Sequence, residues 1–276
     1  DCYHDIHAIR AAFAQFADRV PLDGLVLLNA ADERCRELAP GIRARVERFG
    51  DGPQSNWRAR DVRFEADGGT FTVVHNGEVL GRAALALAGR HNVDNALAVI
   101  ALARDCGVPW DVLAPALGEF RGAHRRLELR GTVGGVHILD DYAHHPTEIR
   151  VTLEAARARY RPRRLWVVFQ PHQHSRTRFL LADFAQSFAQ ADRVVVPDIY
   201  FVRDSEREKD LVCAADLVRA ICERGGHATY VPAFDDILAL LTREVSAGDA
   251  VLTMGAGNIW KVADELVRRL GGHLPD

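Results

Sequence analysis

The chain has 276 residues, 48% of them hydrophobic and 26% charged, with a formal net charge of −3. That composition supports packed cores, excludes global disorder, and is too near neutral for nucleic acid or an acidic membrane to be the main partner. No apolar run approaches the roughly 20 residues that span a bilayer, and no signal peptide is visible. The cysteines, Cys2, Cys35, Cys106, Cys213 and Cys222, show no CxxC spacing. Neither a disulfide scaffold nor a zinc site is expected from them; reduced thiols in a cytoplasmic protein are. The sole methionine is Met254, so the chain is expected to be either processed or a piece of something longer.

Residues 6–18 place apolar side chains at helical spacing, and Leu25–Asn29 reads as a short buried strand. Asp32 opens a short helix ending near Pro40. From Arg58 to about Leu87, Val62, Phe64, Phe71, Val73 and Val74 alternate with polar residues, with turns at Asp67-Gly68-Gly69 and Asn76-Gly77. That pattern predicts antiparallel hairpins. Two helices follow, over 92–106 and 110–119. A division is expected near 122–128, giving domains 1–124 and 125–276. Beyond it, strand-like runs at 137–139, 165–169, 194–196, 229–231 and 250–253 alternate with helical runs at 147–159, 178–190, 211–224, 234–246 and 258–270. This rhythm predicts an α/β unit, a parallel sheet with helices on both faces.

In such a sheet ligands bind beyond the carboxyl ends of the strands. Four polar or glycine-rich segments fall there. Asp140-Asp141-Tyr142-Ala143-His144-His145-Pro146-Thr147-Glu148 follows the first strand. Pro146 and Glu148 suit a helix start, but capping does not require Tyr142, His144 and His145 between the acids and the helix. Gln170 to Arg178 adds His172, His174, Arg176 and Arg178. Arginines in a first helical turn oppose the helix dipole, which favours a bound anion over a merely solvated helix start. Asp198-Ile199-Tyr200 follows the third strand. Gly255-Ala256-Gly257-Asn258 admits either a phosphate or a tight strand-to-helix turn; it lacks the third glycine and downstream acid of a dinucleotide fingerprint.

In the first half, Gly89 to Ala98 carries His91, Asn92 and Asn95 at a helix start. Asn92 and Asn95 share a face, and an asparagine amide offers the donor and acceptor that an adenine edge needs. Helix capping alone would also explain Asn92. Phe120-Arg121-Gly122-Ala123-His124-Arg125-Arg126 is a basic stretch at the expected division, where a nucleotide could be clamped.

Together GRHNVDNALA at 89–98, FRGAHRRLE at 120–128, DDYAHHPTEI at 140–149, FQPHQHSRTR at 169–178 and GAGNI at 255–259 resemble the Mur ligase family in order and spacing, over nearly the whole chain. The resemblance implies a partial central ATP-binding domain followed by a Rossmann-like, doubly wound C-terminal domain. It implies ATP with Mg²⁺, and ligation of L-alanine to UDP-N-acetylmuramate through an acyl phosphate. By resemblance His91, Asn92 and Asn95 would contact adenine, Arg126 the ATP phosphates and Asp141 the ribose. Tyr142, His144, His172 and Arg176 would line the substrate pocket, His172 and Arg176 serving the chemistry. Many relatives carry arginine where this chain has Gln173, which shifts anion binding to Arg176, with Arg178 as a second candidate. No GKT or GKS of a P-loop occurs, and the Mg²⁺ ligands are expected upstream of Asp1, so the chain alone is expected to be inactive. Two alternatives are a metal-dependent hydrolase, built on the HxH pair His172 and His174, and a non-catalytic ligase remnant that binds partners.

Overall fold

The computed structural model describes residues 5–65, 68–87 and 89–274. The chain forms two compact units, Asp1–Arg121 and Gly122–Asp276.

The first unit opens with α1 (Ile6–Ala17), β1 (Leu25–Asn29), α2 (Glu33–Leu38) and a 3-10 turn, η1 (Ala39–Gly41). Asp32 caps α2 by accepting from the amides of Arg34 and Cys35. Then come β2 (Arg45–Phe49), β3 (Trp57–Glu65), β4 (Gly68–His75), β5 (Glu78–Leu85), α3 (Arg90–Asp105) and α4 (Trp110–Glu119). The five strands form one sheet in sequence order, β1 parallel to β2 and β3 to β5 antiparallel. The Asn76-Gly77 turn is as expected: both residues have positive φ, 50° and 91°, which suits a tight hairpin. Of the other expected turn, Asp67 lies outside the described residues. Trp57, Phe71, Val73 and Leu85 pack on Val93, Leu97, Ile100 and Ala101, a stripe along α3. The sequence pattern does not predict strand β2. Its sequence, Arg-Val-Glu-Arg-Phe, carries three charges, yet it pairs residue for residue with β1.

The second unit contains β6 (Glu128–Val133), β7 (Val136–Asp141), α5 (Pro146–Tyr160), β8 (Leu165–Phe169), α6 (His174–Phe179), α7 (Leu181–Ser187) and β9 (Arg193–Val196). It continues with a second 3-10 turn, η2 (Glu206–Asp210), then α8 (Ala214–Glu223), β10 (Ala228–Tyr230), α9 (Phe234–Glu244), β11 (Ala250–Met254) and α10 (Trp260–Arg269). The strand order is β10-β9-β8-β11-β7-β6. Period-two alternation sends Leu165, Val167 and Phe169 of β8 into the core shared with α5, α7 and α8. Trp166 and Val168 go to the core shared with α9 and α10. Helices therefore cover both faces, as the doubly wound expectation requires.

Two corrections concern this unit. The sheet is not wholly parallel, because β6 pairs antiparallel with β7 at the edge. The helix expected over 178–190 is two helices broken at Leu180, which serves as the C-cap of α6 and the N-cap of α7.

Candidate functional site

Strand β7 delivers two aspartates to the rim, and neither faces solvent. Asp140, 1% exposed, receives the Thr253 hydroxyl at 2.6 Å and the Arg125 Nε–H at 2.7 Å. Arg125 also donates to the carbonyls of Gly255 (2.6 Å) and Gly257 (3.1 Å). One guanidinium therefore ties the end of β7 to the turn after β11. Asp141, 3% exposed, accepts from the amides of Leu127 and Ala143, each at 2.7 Å. Burial outweighs those two bonds and the nearby Arg126, pushing the Asp141 carboxyl up to about 6.

That value fixes a sign. A carboxyl raised in the folded state holds a proton that the unfolded chain has released, so its contribution to stability falls as pH rises from about 4 to about 6. The ¹³Cγ shift of Asp141 is expected to titrate with a midpoint near 6. A midpoint at the ordinary aspartate value would show that the two amide bonds and Arg126 offset the burial in full.

The histidines after β7 divide their work. The amides of His144 and His145 donate to Glu148 Oε2 (3.0 and 3.1 Å), and His145 Nδ1 accepts from the Thr147 amide (3.4 Å), completing a capping box with Pro146 in the first turn. Capping thus accounts for His145. His144 Nδ1 lies 3.0 Å from the Tyr142 carbonyl. A carbonyl can only accept, so Nδ1 carries the hydrogen, and in the neutral ring Nε2 keeps the lone pair.

From there a row of rings crosses the rim. The Tyr142 ring, 38% exposed, has the guanidinium carbons of Arg125 and Arg126 at 5.1 and 5.7 Å from its centre. It meets His144 edge-on at 5.3 Å. His144 lies 6.1 Å from His172, and His172 stacks on Tyr200 at 5.6 Å and 21°. The sequence marks Tyr200 only as part of its segment, not as a site residue. In the sequence its signal is its position after a strand end; in the fold it pairs with His172 in an isolated parallel bridge.

Among the described residues, His172 Nδ1 and Arg176 Nη1 are buried and have no hydrogen-bond partner. Burial, reinforced by the charges of Arg176, His144 and Arg203, holds His172 below the usual histidine range, so its imidazole is neutral near pH 7. Burial also depresses His145, with Arg176 adding to the effect and Glu148 opposing it. Arg176 is therefore a shared electrostatic neighbour of both rings. An uncompensated guanidinium in such a setting favours an anion.

Other expectations need amendment. Arg178 is not available to an anionic ligand, because it makes a two-pronged pair with Glu208 at 2.9 and 3.0 Å. The start of α6 has an internal anion: Asp204 Oδ2 accepts from the Ser175 amide at 3.0 Å. The bound anion inferred from arginines near this helix start is thus partly supplied by the chain itself. Gln173, 3% exposed, turns inward, its amide reaching the carbonyls of Val202 (3.3 Å) and Arg203 (3.4 Å). His174 leaves the HxH pair to pack edge-on against Phe201. Among the described residues no group of three or more His, Cys, Asp or Glu is placed to hold a metal ion. Gly255 to Asn258 form a close-packed turn between β11 and α10. A Cβ on Gly255 would stand 2.7 Å from the Gln170 carbonyl, and one on Gly257 2.5 Å from Gln170 Oε1. The carbonyls of both glycines accept from the Arg125 guanidinium.

In the first unit, Gly89 (φ 100°) is the N-cap of α3, so Asn92 sits within the first turn and is not the cap. His91 and Asn92 are half-buried and Asn95 is exposed. Arg90 pairs with Asp51 at 2.6 Å and approaches Asp94 at 3.6 Å, linking the end of β2 to this helix start.

Comparison with known proteins accounts for both units. The Mur ligase middle domain matches residues 1–103, and the Mur ligase glutamate ligase domain matches residues 125–257. The chain is 40% identical over 97% of its length to the UDP-N-acetylmuramate–L-alanine ligase of Caldanaerobacter subterraneus subsp. tengcongensis, and spans 58% of that relative. Among crystal structures, the UDP-N-acetylmuramate–alanine ligase of Thermotoga maritima matches with a TM-score of 0.75 and 28% identity, covering 96% of this chain and 55% of that one. A murein peptide ligase from Psychrobacter arcticus matches with a TM-score of 0.70 and 29% identity, covering 99% and 57%. The chain therefore spans less than three fifths of each of these relatives. With both domain models matched in order and 40% identity sustained along 97% of it, the chain belongs to the Mur ligase family.

Proposed function

We propose that the protein carrying this chain joins L-alanine to UDP-N-acetylmuramate at the expense of ATP, in the cytoplasm, as a step of peptidoglycan precursor synthesis. The observation that carries this reading is the rim of the second unit, where Tyr142, His144, His172 and Tyr200 form one row and the buried Nη1 of Arg176 lacks a partner. Support also comes from the alanine ligases among its relatives. No helix among the described residues is long and apolar enough to cross a membrane.

In such a ligase the γ-phosphate of ATP passes to the substrate carboxylate, giving an acyl phosphate and ADP. The amine then attacks the acyl carbon, the new C–N bond forms, and phosphate departs from the tetrahedral intermediate. Arg176 would hold the alanine carboxylate and so fix the amine against the acyl carbon. His172, neutral near pH 7, would take the proton that the nitrogen sheds as the bond forms. Tyr142 and His144 would line the sugar-acid side. His91, Asn92 and Asn95 would meet the adenine and Arg126 the phosphates. Asp141, turned onto the amides of Leu127 and Ala143, would shape the backbone against which the ribose rests. Mg²⁺ would neutralise phosphate charge. No group of three or more candidate metal donors is gathered among the described residues.

The test is phosphate release by the native protein that contains this chain, with ATP, UDP-N-acetylmuramate and L-alanine. Release that depends on alanine is expected. Release only with a murein peptide in place of alanine would instead assign the peptide-ligase activity named for the Psychrobacter relative.

A further inference from the structure

His172 lies in the loop after β8, and the fold pins its backbone on both sides. Tyr200 N–H donates to the Pro171 carbonyl (2.8 Å) and Gln173 N–H to the Tyr200 carbonyl (3.0 Å), which makes the parallel bridge between His172 and Tyr200. The imidazole is not held in this way. Its Nδ1 is buried and, among the described residues, has no hydrogen-bond partner. A working histidine is ordinarily oriented by a hydrogen bond on the nitrogen that does not react. The second torsion of a histidine side chain is broad, so a fixed backbone alone leaves the ring free to turn. Packing must supply the missing constraint. His144 meets the ring obliquely, at 59° and 6.1 Å. Tyr200 lies nearly parallel to it, at 21° and 5.6 Å. The phenol ring is itself seated on Gly257, where a Cβ would stand 2.9 Å from Tyr200 Cγ and 3.0 Å from Cδ2. Glycine at 257 leaves the space that the Tyr200 ring occupies. The turn after β11 thus sets the phenol, and the phenol sets the imidazole.

We propose that Tyr200 is a positioning residue for His172, its flat face setting the plane of an imidazole whose buried nitrogen no hydrogen bond orients. This rests on the ligase reading above, in which His172 takes the proton shed by the attacking amine, and adds the residue that aims it. The loops after β8, β9 and β11 all contribute, so the ring is referred to the sheet rather than to its own loop. A stacked face also differs chemically from the carboxylate that often orients a histidine. It fixes geometry without placing another negative charge beside anionic substrates and a departing phosphate.

The experiment compares Tyr200→Leu, Tyr200→Met and Tyr200→Phe with the unaltered native protein. The bridge to His172 is made by backbone atoms, so it survives all three replacements. Tyr200→Leu is expected to lower kcat roughly tenfold, the weight that one aromatic contact gives to a single ring orientation. KM for L-alanine and for ATP should stay unchanged. Tyr200→Phe, which keeps the flat face, should recover most of the loss. Tyr200→Met fills the space without a flat face and should behave as Tyr200→Leu; it carries the comparison if the leucine variant unfolds more readily. An unchanged kcat in the leucine and methionine variants would overturn the proposal. So would a loss in Tyr200→Phe as large as theirs, which would assign the hydroxyl rather than the face. If the unaltered protein shows no alanine-dependent turnover, the ligase reading fails separately. The order parameter of the His172 ring ¹³Cδ2, measured by NMR on the same preparations, then decides the positioning role. It is expected to be high in the unaltered protein and Tyr200→Phe, and to fall in the other two. An equally rigid ring in the leucine and methionine variants would reject the role of Tyr200.

Discussion

Arg125→Ala is expected to lower the stability of the second unit by about 3–5 kcal/mol, the range for breaking a buried ion pair by removing one partner. The Arg125 side chain is 21% exposed and its partner Asp140 is 1% exposed. Truncation strands that carboxylate together with the carbonyls of Gly255 and Gly257. It also removes a side chain that bridges the end of β7 and the turn after β11. In urea this corresponds to a midpoint lower by roughly 2 M. The loss should depend on pH with a definite sign. Burial already raises the Asp140 pKa, while Thr253 and Arg125 hold it down. Without Arg125 it climbs further, so the folded variant takes up a proton that the unfolded chain lacks. The penalty is then full at pH 7 and shrinks toward pH 4. Arg125→Lys keeps the charge but not the three-way fork, and should recover part of the loss. A change below about 1 kcal/mol, the size of an ordinary surface substitution, would mean that Arg125 does not organise this rim.

Arg176→Ala is expected to have the opposite profile. Its Nη1 is buried without a partner, so truncation breaks no bond at that nitrogen and removes an uncompensated charge. Stability should stay within about 1 kcal/mol of the unaltered protein, or rise. Alanine-dependent kcat/KM should nevertheless fall by roughly 10²–10³, as when one preorganised donor is removed from an active site. Thermal unfolding and phosphate release on the same preparation separate the two effects. A variant that loses stability and activity together would place Arg176 in the scaffold rather than in the site. Only the kinetic arm depends on the ligase reading.

The parallel core of the second unit was legible because its strands are short apolar runs between turn signals. Leu165–Phe169 is wholly buried, so nothing polar interrupts it. The edge strand β6, Glu-Leu-Arg-Gly-Thr-Val, lacks that signature: one face meets solvent, and a register shift falls between Leu129 and Gly131. Strand β2 escaped notice for the same reason. The rim loops were legible from polar residues at strand ends, which is where the sheet geometry puts ligands. Which charges remain available there was not legible. Arg178 is neutralised by Glu208 and the start of α6 by Asp204, thirty and twenty-nine residues away along the chain. Asp141 looked like a ligand-facing acid, and only the fold shows its oxygens turned onto Leu127 and Ala143.

The place of β11 at the centre of the sheet, between β7 and β8, bears on how this unit comes together. Those two earlier strands form no ladder with each other; each waits for a segment made much later. The Asp140–Thr253 contact that seals the middle of the sheet closes a loop of 113 residues, and the Arg163–Asp249 contact one of 86. That closure entropy is spent before the central pairing returns anything. Until β11 inserts, the inner edges of β7 and β8 stay open, with Ile138 and Val167 beside unsatisfied backbone. The last strand therefore acts as the keystone of assembly, and the interval before it arrives is when the nascent chain is most exposed to pairing with a neighbour.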